Sequence, residues 1–156
     1  MNERILVSSC LAGLAVRYNG TDCLHKKIRK LIDEKKAVSI CPEVVGGLSI
    51  PREPAEILSG DGEDVLDGKA RVVNQSGKDV TDFFIKGAYK TLEKAQEINA
   101  TFVVLKENSP SCGSTMIYNG KFTGTKVAGN GVTSALLKRH GFRVISEEQL
   151  DDEING

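Results

Sequence analysis

Net charge is missing from this chain: 21 lysines and arginines balance 21 aspartates and glutamates. There is therefore no broad positive field of the kind that draws nucleic acid or an anionic membrane surface. A long apolar run is missing too. Nothing approaches the ~20 residues of a membrane span, and Met1-Asn2-Glu3-Arg4 leads straight into a short apolar stretch, without the hydrophobic core of a signal peptide. A cytoplasmic protein is expected, with neither nucleic acid nor membrane as a partner; oligomeric state is not legible. Histidine is scarce. His25 opens a basic stretch and His140 closes a helical one, so a Cys-His protease and a mixed Cys/His zinc site both lose ground. The four cysteines, Cys10, Cys23, Cys41 and Cys112, are few for a disulfide framework, and a reducing cytosol keeps them as thiols. No Cys-x-x-Cys pair occurs, which excludes the spacings of zinc ribbons, thioredoxin motifs and ferredoxins.

What is present is a repeated relation between apolar runs and thiols. Ile5-Leu6-Val7-Ser8-Ser9 runs into Cys10, Ala37-Val38-Ser39-Ile40 into Cys41, and Phe102 to Leu105 into Lys106-Glu107-Asn108-Ser109-Pro110-Ser111-Cys112-Gly113. Short continuous apolar runs of this kind read as strands covered on both faces. In an open parallel sheet, ligands bind outside the carboxyl ends of the strands. Three thiols far apart in sequence could thus converge.

Between these runs the pattern turns helical. Leu24–Lys35 carries Ile28, Leu31 and Ile32 at helical spacing, with Asp22 available as a cap, and a long helix from Asp79 or Thr81 to about Asn99 has the stripe Phe84, Ala88, Leu92, Ala95 and Ile98. Val132–His140 is a third helix, stopped by Gly141, ahead of a last strand at Phe142–Ile145 and a short helix capped by Ser146. The two prolines and the Gly46-Gly47 pair make Pro42–Arg52 a loop. Glu53–Lys78, acidic and rich in glycine, is an excursion with a small hairpin and a strand at Ala70–Val73, which could cover a site or be only a passive surface loop. Thr115–Phe122 reads as a hairpin turning at Asn119-Gly120. The class is α/β, one domain over residues 1–150, with a mainly parallel sheet flanked by helices and a frayed tail over 151–156.

Several residues in this frame have chemistry. Glu43, two residues after Cys41, could act as a general base, or could cap the Gly46-Gly47 turn or pair with Arg52. Ser109 and Ser111 flank Pro110 near Cys112 and could orient a ligand or satisfy their own loop. Gly129-Asn130-Gly131-Val132-Thr133 precedes a helix and could form an anion-binding nest or be only a tight turn; it meets neither the phosphate-loop nor the dinucleotide pattern.

Cys10-Leu11-Ala12-Gly13, Arg17-Tyr18-Asn19-Gly20, Cys41-Pro42-Glu43-Val44-Val45-Gly46-Gly47-Leu48 with Pro51-Arg52, Gly77-Lys78-Asp79-Val80-Thr81 and Ser109-Pro110-Ser111-Cys112-Gly113 form an ordered set. The set resembles a bacterial family long listed as a domain of unknown function, whose characterised members include the 2-thiouracil desulfidases. The resemblance runs from Arg4 to about Glu147. It implies a Rossmann-like domain in which Cys10, Cys41 and Cys112 hold a [4Fe-4S] cluster with one open iron, while Glu43 and Ser109, with Ser111 as the competing choice, serve as active-site carboxylate and serine. Cys23 has no counterpart in these motifs, and Val16 stands where some members carry a further cysteine. The implied reaction is non-redox carbon–sulfur cleavage of a small thiolated nucleobase such as 2-thiouracil. Its sulfur would bind the open iron and leave as hydrogen sulfide. The rival expectations are a carrier of iron–sulfur or zinc without turnover, and a nucleotide-binding regulatory module built on Gly129–Val132.

Overall fold

A computed structural model describes residues 4–15, 18–20 and 24–150. Val16, Cys23, the proposed cap Asp22 and the tail from residue 151 lie outside them. The central sheet is built from β1 (Ile5–Ser8), β2 (Ala37–Ile40), β5 (Phe102–Leu105) and β8 (Val144–Ser146), in the order β2-β1-β5-β8. Every pairing in it is parallel, with Leu6 opposite both Val38 and Val103, and Val104 opposite Ile145. The expected α/β class, with a parallel sheet flanked by helices, is what the chain adopts.

Alternation along the strands sends side chains to two cores. Leu6, Val103 and Leu105 pack with α4 (Thr81–Glu97) and α5 (Val132–Arg139), while Ile5, Val7, Phe102, Val104 and Ile145 pack with Ile28 of α1 (Lys26–Asp33). All five residues of the expected α4 stripe are buried. Asp79 Oδ1 accepts the Thr81 N–H at the start of that helix.

The residues after Cys41 are not all loop, as their prolines and glycines suggested. Pro42–Val45 forms a one-turn helix, α2, with Pro42 in its first position, where a missing N–H costs nothing. It lies on α4 at a glycine crossing. A Cβ on Gly46 would stand 2.1 Å from Phe83 O, and one on Gly87 2.0 Å from Pro42 O. Neither position has room for a side chain, and the contact fixes the Cys41–Glu43 turn against the longest helix.

The expected excursion is a hairpin of β3 (Ala55–Leu58) and β4 (Arg71–Asn74), antiparallel, enclosing a short helix, α3 (Gly62–Leu66). A capping box between Asp61 and Asp64 starts α3. The second hairpin differs from expectation. Its strands are β6 (Met116–Tyr118) and β7 (Lys126–Ala128), so Asn119-Gly120 begins a long turn instead of forming a tight one. The reason lies elsewhere in the fold: the N–H groups of Gly120 and Phe122 are drawn to Glu56 of β3. Among the described residues, no helix is long and apolar enough to cross a membrane.

Candidate active site

Cys10 sits in a 3-10 turn, Ser9–Ala12, that continues β1 and closes on Gly13, whose φ of 95° favours glycine. Cys41 is the extended residue between β2 and α2. Cys112 lies in the loop after β5. Because the three strands are adjacent and parallel, their carboxyl ends share one edge, and all three cysteines line one cavity of about 460 Å³. None of the three is in a disulfide. Burial pushes the Cys112 thiol far above its ordinary value; the neighbouring Glu43, Cys41 and Cys10 push it the same way, and the Ser8 hydroxyl opposes them. Burial also raises the Cys41 thiol, against the Val44 N–H, which favours the thiolate. These mutual effects place the three sulfurs and Glu43 in one electrostatic neighbourhood.

The loop carrying Cys112 is held by a residue that composition alone does not flag. Glu107, 4% exposed, accepts the backbone N–H groups of Asn108, Ser114, Thr115 and Met116 and the hydroxyls of Ser114 and Thr115. Burial acts to raise its pKa, but the bonds from Thr115, Met116 and Ser114 outweigh it and hold the carboxyl below its ordinary value. One carboxylate thereby organises both ends of the 107–116 loop. Its only sequence signal is a charged residue two positions after a wholly buried strand.

Ser109 Oγ accepts the N–H groups of Ser111 at 3.1 Å and Cys112 at 2.7 Å. Its own proton is not committed by those bonds, and Ser109 lines the cavity. Ser111 does not. It is buried and hydrogen-bonded to Thr133 Oγ1 at 2.8 Å, so of the two candidate serines the structure brings Ser109 to the thiols. Ser8, a residue the sequence did not single out, donates to Cys112 Sγ at 3.7 Å and accepts the Lys106 N–H at 2.9 Å.

Glu43 also lines the cavity and is paired with Arg52, the structural alternative that its position suggested. The Arg52 Nε and Nη2 groups both donate to Oε2, at 3.0 and 2.5 Å. The Gly129–Thr133 segment is no anion nest. The N–H groups of Gly131, Val132 and Thr133 donate to the carbonyls of Gly113, Pro110 and Ser111, so the start of α5 clasps the Cys112 loop. His140 ends α5 and His25 precedes α1; neither lines the cavity.

The family model for 2-thiouracil desulfurase matches residues 5–149. The chain belongs to this family. A protein of Bacillus subtilis (strain 168) described as uncharacterized protein YbbK is 64% identical over 148 residues, covering 95% of this chain and 98% of its own. The solved structure of the [4Fe-4S]-dependent thiouracil desulfidase TudS superposes with a TM-score of 0.84 at 46% identity, covering 96% of this chain and 94% of that one.

Proposed function

We propose that this family member is an iron–sulfur-dependent desulfidase that replaces the thiocarbonyl sulfur of a small thiolated nucleobase, such as 2-thiouracil, with oxygen from water. The observation that carries this reading is the meeting of three cysteines outside any disulfide, from three strand ends, with the Glu43 carboxylate and the Ser109 hydroxyl in a single cavity. Membership of the desulfurase family and the likeness to TudS support it.

The donor set suits a cluster. Cys10, Cys41 and Cys112 offer thiolates only, the ligands that iron–sulfur clusters take. Among the described residues, no three His, Cys, Asp or Glu side chains close on a point that one metal ion could occupy. A cluster asks for less convergence, since each thiolate needs only its own metal–sulfur bond of ~2.3 Å to its own iron. When bound through three cysteines, a four-iron cluster keeps one iron open and supplies Lewis acidity toward sulfur.

The chain's own residues do the rest. Glu43, anchored through Oε2 by Arg52, takes a proton from water as the water oxygen bonds to the thiocarbonyl carbon. Ser109, its oxygen held by two backbone N–H groups, directs its hydroxyl proton toward the substrate. The carbon–sulfur bond then breaks and the sulfur leaves, with the protons supplied by water, as hydrogen sulfide. Thiocarbonyl plus water gives carbonyl plus hydrogen sulfide, so no net electron transfer is required.

The test is anaerobic reconstitution followed by iron and acid-labile sulfide analysis and a sulfide-release assay on 2-thiouracil. A brown protein with about four irons and turnover is expected. Cys10→Ala, Cys41→Ala and Cys112→Ala should each lose iron and activity together. A colourless protein binding zinc without turnover would replace this reading with that of a carrier.

A further inference from the structure

One carboxylate on the cavity wall takes no part in the reaction above. Glu56 of β3 is 8% exposed and lines the cavity that holds the three thiols. Its Oε1 accepts the N–H groups of Gly120 at 2.9 Å and Phe122 at 3.2 Å. Its Oε2 makes no hydrogen bond or ion pair among the described residues. That oxygen is not sealed from solvent, so it can accept from water or from a ligand N–H that takes the water's place. The cavity's cations are engaged elsewhere: Arg52 with Glu43 and Lys106 with Glu147. Glu56 therefore presents a fixed acceptor, held from behind by two backbone N–H groups, to whatever fills the space.

Thiolated nucleobases carry the matching donor. In 2-thiouracil the thiocarbonyl carbon is flanked by two ring N–H groups, each adjacent to the bond that must break. We infer that Glu56 Oε2 accepts a ring N–H of the substrate, making Glu56 the residue that selects thiolactams with a free N–H beside the thiocarbonyl. The inference rests on the desulfidase reading. It divides the work between elements: the strand ends supply the thiols and the base, and the β3–β4 hairpin supplies the grip on the ring. It also gives the 119–125 turn a purpose, because that turn reaches across to β3 and occupies Oε1, so that Oε2 is the oxygen left for a ligand.

The experiment uses the reconstituted holoprotein and two compounds, 2-thiouracil and its analogue methylated on both ring nitrogens. Wild type should turn over the methylated analogue with kcat/KM about 10- to 100-fold lower, the worth of one hydrogen bond to a charged acceptor. Glu56→Gln should raise KM for 2-thiouracil by a similar factor while changing kcat little, because an amide cannot accept at both ends. The same variant should handle the methylated analogue as wild type does. Discrimination between the two compounds that survives intact in Glu56→Gln would overturn the inference. If that variant does not fold, wild type decides alone: equal kcat/KM for both compounds removes the need for a ring acceptor. A cluster-loaded wild type that releases no sulfide from 2-thiouracil would instead defeat the desulfidase reading, and this inference with it.

Discussion

Glu43 and Arg52 meet at a single oxygen: the guanidinium places both Nε–H and Nη2–H on Oε2, and the side chains are only 15% and 9% exposed. The pair orients the carboxylate without using both of its oxygens. Because a base lowers the barrier and ligates no iron, Glu43→Gln should keep its iron content and colour. Turnover should fall by roughly 10²- to 10⁴-fold, the usual worth of a positioned acid or base. Parallel iron analysis and sulfide-release kinetics check both halves, and a variant that lost its iron would move Glu43 from catalysis to support of the cluster.

The glycine crossing under that turn offers a test in which two effects compete. Gly87 lies within α4, where replacing glycine by alanine ordinarily stabilises a helix by about 0.5–1 kcal/mol. Here the new methyl would meet Pro42 O at 2.0 Å, and overpacking of this kind costs about 1–3 kcal/mol. The contact should win. Gly87→Ala is expected to lower the melting temperature, and to lower activity further by displacing Cys41 and Glu43 together. A stabilised, fully active variant would show that α2 slides freely on α4.

These positions also show what could be read without coordinates. The apolar runs of β1, β2 and β5 and the stripe on α4 were legible because period and burial coincide, and the thiols at the strand ends followed from where those runs stop. Glu43 was legible by proximity to Cys41. Glu56 was not, because its two bonds span 64 and 66 residues of sequence, and no local pattern encodes a contact of that range. The same contact explains why the chain does not turn back at Asn119-Gly120 and the turn runs on to Thr125. Glu107 escaped because a lone glutamate after a strand reads as solvent-facing, whereas its six bonds turn it inward.

Glu107 predicts a pH dependence with a definite sign. Its carboxyl is held below the ordinary value of 4.5 in the folded protein, so the ionised form favours folding. That contribution is full above the unfolded value and is lost as pH falls from about 4.5 through the lowered folded value. Melting temperatures measured from pH 6 downward should drop across that window. Glu107→Ala should be destabilised on the order of 3 kcal/mol or more at neutral pH, since four backbone N–H groups lose their acceptor, and should show a shallower acid slope. An unchanged slope would locate the acid sensitivity in other carboxylates.

Ser109→Ala tests a point on which sequence and structure lead to different expectations. As a residue that only orients substrate, Ser109 should be removable with the cluster intact and a modest loss of rate. Its oxygen, however, accepts the N–H of Cys112 itself at 2.7 Å and that of Ser111 at 3.1 Å, so it also fixes the backbone that presents one of the three thiols. Removing it leaves two N–H groups without an acceptor, each costing about 1–3 kcal/mol if buried, and loosens the ligand loop. The expected result is a double defect: slower turnover per iron, and faster loss of iron to a chelator than in wild type. Ser111→Ala, which touches only Thr133 through its hydroxyl, should lose stability without a matching loss of turnover per iron. Should Ser109→Ala retain iron against the chelator as wild type does while losing rate, the hydroxyl's task would be confined to the substrate. Should it lose iron yet turn over normally per cluster, its proton would have no part in the reaction.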